Sequence, residues 1–156
     1  MVNSVKLKKN KGFTLIELVI VMGIIAILMA VGSSYMNKGN ITEQHIAMKD
    51  IEAITTGAVK YAGGRQFTSV TMSVLCADGY VEGTPCGASN NGTAANPWGG
   101  DYKVVVNSAN SNRFDVSLTK VPKNVGPEMA RNYRDSSRSS VFTTSTSTVL
   151  LVFGSI

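Results

Sequence analysis

The chain has 156 residues, room for one domain and an appended segment, and 44% of them are hydrophobic against only 16% charged. Its formal charge of +5 comes largely from Lys6, Lys8, Lys9 and Lys11; without them eleven basic residues face ten acidic ones. That balance excludes a basic nucleic-acid-binding body, and the apolar content excludes wholesale disorder. One histidine and two cysteines leave too little for a zinc or iron–sulfur centre, so no metal and no cofactor is expected. No hydrolase, kinase or dinucleotide motif is present, and the one histidine lies in no motif that would make a convincing Ser/His/Asp set. No catalytic residue is assigned, and an enzyme is not expected.

Behind the lysines, residues 18–37 carry no charge and are rich in Val, Ile, Leu, Met and Ala. A helix of such a length rises about 30 Å, the thickness of a bilayer's hydrocarbon core. The positive-inside rule holds the lysine end in the cytoplasm, which puts everything after Lys38 outside the inner membrane. A secretory signal with a small-residue site at Ala30-Val31-Gly32 fits these features, and so does an uncleaved anchor. Neither accounts for Glu17, a carboxylate near the beginning of the apolar run, where burial is costly.

Glu17 belongs to the segment Lys11-Gly12-Phe13-Thr14-Leu15-Ile16-Glu17-Leu18. This closely resembles the prepilin signal of the type IV pilin superfamily, which has a short basic leader ending in Gly, an aromatic first mature residue, Glu at the fifth mature position and then a long apolar run. The resemblance implies cleavage between Gly12 and Phe13 and N-methylation of Phe13, both by a prepilin peptidase/methyltransferase. It further implies polymerisation into a homo-oligomeric helical filament by pilus assembly machinery. Before assembly the chain would cross the inner membrane once with its N-terminus in the cytoplasm; afterwards it would lie in an extracellular pilus or fimbrium. The implied fold class is α+β, the pilin fold, with a long N-terminal helix, transmembrane and then amphipathic, packed on a small antiparallel sheet. Its parts would be a leader over residues 1–12, a filament-core helix over 13–36, an amphipathic second half over 37–63 and a globular head over 64–156. The family often carries a proline where this chain has Ser34, so any kink must come from Gly23, Gly32 or the Gly32-Ser33-Ser34 cluster.

The segment's own chemistry suits proteolysis and charge pairing. Gly12 has no side chain, so a protease can approach the scissile carbonyl closely. Cleavage leaves an α-amino cation on Phe13, and Glu17 lies four residues on, at the spacing that shares a helix face. In a low-dielectric layer the carboxylate needs a cation: its own amine or that of a neighbouring subunit. As a plain interfacial residue it would instead reach towards water.

After a break expected at Asn37-Lys38-Gly39-Asn40, Thr42 is a fair N-cap and Glu43 suits the helix dipole. Ala47, Ile51, Ile54, Ala58 and Tyr61 follow at helical spacing, and Gly63-Gly64 ends the stripe. The lone His45 reads as a polar surface residue, with no second ligand nearby for a metal. Cys76 and Cys86 bracket nine turn-forming residues and, outside the cytoplasm, should oxidise to each other. Strands are expected over 102–106, 113–119 and 149–153, the second with Phe114, Val116 and Leu118 alternating. The loop Asn96-Pro97-Trp98-Gly99-Gly100, with Val121-Pro122 after the hairpin, is similar to the head of type IVb-like pilins; the short leader and Phe13 are similar to type IVa. Trp98 reads as an anchor packing that loop on the sheet rather than a ligand platform. Gly126-Pro127-Glu128 opens a short helix whose Met129, Ala130 and Tyr133 face inward, and a Ser/Thr-rich stretch follows. Arg131, Arg134 and Arg138 would form a basic stripe if that helix continued, for solvent, a neighbouring subunit or DNA phosphates.

The leading reading is a structural protein, the major subunit of a type IV pilus serving adhesion, motility or DNA uptake, with any DNA or surface ligand left open. A pseudopilin or minor pilin of a type II secretion or competence system would carry the same signature. A membrane-anchored binding module that never polymerises has no use for Glu17.

Overall fold

Between Leu15 and Ala62 nothing stops a helix: there is no proline, and the glycines are isolated. The computed structural model describes residues 15–154, with the side chains of 30–40 outside that description, and shows one helix, α1 (Leu15–Ala62). The break expected at residues 37–40 does not interrupt it, so Thr42 is an interior helical residue and not a cap. Asparagine and glycine each cost a helix up to about 1 kcal/mol, too little without a proline to end one. The chain divides into two compact units, Met1–Gly39 and Asn40–Ile156. The leader, and with it Gly12 and Phe13, lies outside the described residues.

In the first unit, residues 15–29 expose large apolar side chains around the whole circumference of α1, among them Leu15, Leu18, Ile24, Ile27 and Met29. A helix apolar on every side calls for an apolar surrounding. Among the described residues no helix is long and apolar enough to cross a membrane. The span expected over 18–37 runs into residues 30–40, whose side chains are not described.

In the second unit, Ala47, Ile51, Ile54, Ala58 and Ala62 of α1 are buried. They form the stripe that the sequence spacing predicts, except that Ala62 closes it and Tyr61 is only half-buried. The short helix α2 (Met72–Ala77), not anticipated from the sequence, starts at Thr71, whose hydroxyl accepts the Val74 N–H at 3.3 Å. A 3₁₀ turn spans Thr84–Cys86. Strands β1 (Tyr102–Val106), β2 (Arg113–Leu118), β3 (Ser139–Thr143) and β4 (Thr148–Gly154) form one antiparallel sheet in the order β1-β2-β4-β3. Tyr102 lies opposite Leu118, and Phe114 lies opposite Phe153. One face of this sheet, with Val104, Phe114, Val116, Leu118, Val149 and Leu151, closes the core against the α1 stripe. The fold is α+β, a helix followed by a small four-stranded antiparallel sheet.

Helix α3 (Gly126–Asn132) buries Met129 and Ala130 and stops before Arg134. The basic stripe of Arg131, Arg134 and Arg138 therefore does not form. Arg138 instead meets β4, donating its backbone N–H to the Val152 carbonyl at 2.7 Å and its Nε to that of Gly154 at 3.1 Å.

Candidate functional site

Glu17, one of the residues on which assembly is expected to depend, stands in the first turn of α1 and is exposed, with exposed Leu15, Ile16, Leu18 and Val19 on either side. A carboxylate at a helix start is favoured by the dipole, while the apolar side chains about it are suited to a surrounding that disfavours charge. The Phe13 amine that it would meet lies outside the described residues.

In the head, Cys76 at the end of α2 and Cys86 in the 3₁₀ turn are joined in a disulfide with Cα atoms 5.5 Å apart, both fully buried. The loop beyond it is organised by a residue that sequence reading passed over. Asn96 is buried; its Oδ1 accepts the N–H groups of Trp98 and Gly100, both at 3.0 Å, and its Nδ2 donates to the Thr119 carbonyl at 2.8 Å. Three backbone groups are thereby satisfied by one amide, and Trp98 is held half-buried against the core. The anchoring role read for Trp98 matches this packing.

A second unforeseen contact crosses the core. The Tyr102 hydroxyl on β1 donates to the Asp50 carboxylate on α1 at 2.7 Å, with both side chains buried. Burial raises the Asp50 pKa above the ordinary carboxylate value, against the opposing pull of that hydrogen bond and of Lys49. Burial and then the same hydrogen bond raise Tyr102. The Tyr133 hydroxyl donates to the Met48 carbonyl at 3.2 Å, and burial, followed by the charge of Glu52, pushes Tyr133 up to about 12. Neither link was legible locally, since the partners are 52 and 85 residues apart.

His45 is exposed and borders an open recess of about 480 Å³ together with Glu52, Thr55, Tyr133 and Phe153. Among the described residues no group of three or more His, Cys, Asp or Glu side chains is placed to hold a metal ion. Among the described residues, polar side chains of the head are engaged in contacts that tie α1, the sheet and the loops together.

Residues 7–33 match the family profile described as the prokaryotic N-terminal methylation motif. Residues 41–151, well over half of the chain, match the family described as PilS N terminal. Neither curated proteins nor solved structures gave a match.

Proposed function

The chain belongs to the PilS N-terminal family and is a type IV pilin-like protein, and from that premise we propose that it is the major structural subunit of a type IV pilus. In this reading the precursor resides in the inner membrane, is cut between Gly12 and Phe13, is methylated on the Phe13 amine and is polymerised into an extracellular filament. The observation that carries it is the helix over residues 15–29, apolar on every side, with Glu17 in its first turn. Burying such a helix among copies of itself removes its apolar surface from water at about 25 cal/mol per Å². The head supplies a cross-linked, hydrogen-bonded body for the filament's outer wall, and its role is structural.

The test is mechanical shearing of cells followed by identification of the released filaments. A filament composed mainly of this chain, with an intact mass that starts at Phe13 and includes one methyl group, is the expected result. Filaments in which this chain is a trace component would make it a minor pilin, and a chain that retains its leader lysines would overturn the reading altogether.

A further inference from the structure

We propose that Asn91 is an acceptor for an asparagine-linked glycan, taken from a lipid-pyrophosphate-linked oligosaccharide. The inference rests on the reading above, in which the head leaves the cytoplasm. The sequence holds two Asn-x-Ser/Thr triplets with no proline at the centre, Asn40-Ile41-Thr42 and Asn91-Gly92-Thr93, and this is the acceptor pattern of N-linked glycosylation. The two are placed very differently. The first lies inside α1, where its backbone groups are committed to the helical ladder and could enter a transferase cleft only by unwinding. The second lies outside every helix and strand, with Asn91 and Thr93 both exposed.

The two ends of the Asn91 amide face different surroundings. One atom accepts the Thr93 N–H at 3.2 Å and the Thr93 hydroxyl at 2.6 Å. A backbone N–H can face only an acceptor, so that atom is the oxygen. The amide nitrogen, which would carry the sugar, is directed away from Thr93 and has no hydrogen-bond partner among the described residues. The hydroxyl that the acceptor pattern requires is thus already set on the acceptor amide.

The triplet is also held out from a firm base. The Gly92 N–H donates to the Cys86 carbonyl at 3.1 Å, and Asn90 Nδ2 donates to the Cys76 carbonyl at 2.7 Å. These two anchors belong to the disulfide-linked cysteines. Gly92 has φ of 74°, and a Cβ there would lie 2.6 Å from the Met72 backbone. Glycine is therefore required at the central position, and it leaves the neighbouring amide unshielded. In the transfer, the bond between Asn91 Nδ2 and the sugar's anomeric carbon forms as that carbon's bond to the pyrophosphate oxygen breaks. The nitrogen yields one proton to a base of the transferase, and the lipid pyrophosphate departs with the electron pair.

The experiment uses the full chain, expressed in its own host and recovered from membranes after processing. After tryptic digestion, the peptide that follows Arg65 and ends at Lys103 is analysed by electron-transfer mass spectrometry, with and without reductant. A sugar increment on Asn91 is expected, lost entirely in Asn91→Gln and Thr93→Ala and retained in Thr93→Ser. A bare peptide with Cys76 and Cys86 linked would overturn this inference alone, as would sugar found only on serine or threonine hydroxyls. A bare peptide with both thiols free would overturn it together with the exported-head reading.

Discussion

Asp50 is a carboxylate that α1 turns towards the sheet, where it is 6% exposed and meets the Tyr102 hydroxyl at 2.7 Å. A carboxyl whose folded pKa is raised favours the folded state most when protonated. Its contribution is full below the ordinary value of 3.8 and is lost as pH rises through the raised value. Asp50→Asn should therefore gain stability relative to wild type across that window, and the difference should level off at higher pH. Urea unfolding of the two proteins in parallel at stepped pH measures this; a difference independent of pH would contradict a raised Asp50. Tyr102→Phe should cost about 1–3 kcal/mol at neutral pH, because it leaves a buried acceptor unsatisfied. The sequence did not announce this pair. Asp50 borders an amphipathic stripe, where a charge ordinarily reads as solvated, and its partner arrives from a strand 52 residues away.

At the scale of elements, what was legible depended on length and period. The α1 stripe and strands β1, β2 and β4 follow alternations or repeats long enough to stand out. Strand β3 does not, since Ser140 and Phe142 are its only inward positions and Ser140 satisfies its hydroxyl on the Ala130 carbonyl at 2.6 Å. Helix α2 spans only six residues, fewer than two turns, which is too short for a period to register. Close approach is equally invisible in one dimension. A Cβ on Gly57 of α1 would lie 2.7 Å from the Tyr80 carbonyl oxygen and would collide with the Val81 side chain. Gly57→Ala should thus destabilise a fragment beginning at Asn40 by about 1–3 kcal/mol through overpacking, outweighing the roughly 1 kcal/mol that alanine gains in a helix. An increased urea midpoint would show that the helix does not rest against that segment. The Tyr80–Val81 segment is in turn closed off by the Cys76–Cys86 bridge, whose ten-residue separation makes a short loop. Replacing both cysteines with serine should cost about 2–3 kcal/mol in the chain-entropy picture, read from the same unfolding curves, and should leave the sheet's circular dichroism intact.

For the whole molecule, the family was legible because its signal is contiguous: Gly-Phe-Thr-Leu-Ile-Glu followed by an apolar run needs no tertiary contact to be recognised. In the filament we propose, that signal sets how neighbouring helices align. Burial of the apolar helices is non-directional, so it drives them together without fixing their axial stagger. A carboxylate and an amine that enter the same low-dielectric bundle do fix it, because removing one partner of a buried charge pair costs about 3–5 kcal/mol. Glu17 lies four residues from Phe13, whose amine is created by the cleavage, so an amine from the same or an adjoining subunit can satisfy it. Glu17→Ala should therefore enter the membrane, be cut after Gly12 and keep a folded head with its Cys76–Cys86 bridge, while surface filaments fall severely. Glu17→Gln, which keeps the shape and removes the charge, should behave the same way. Sheared-filament yield is compared with wild type at matched amounts of processed subunit in the membrane, with N-methylation of Phe13 followed by mass. Normal filament yield from Glu17→Ala would show that the charge has no part in assembly and would favour an anchored module that never polymerises.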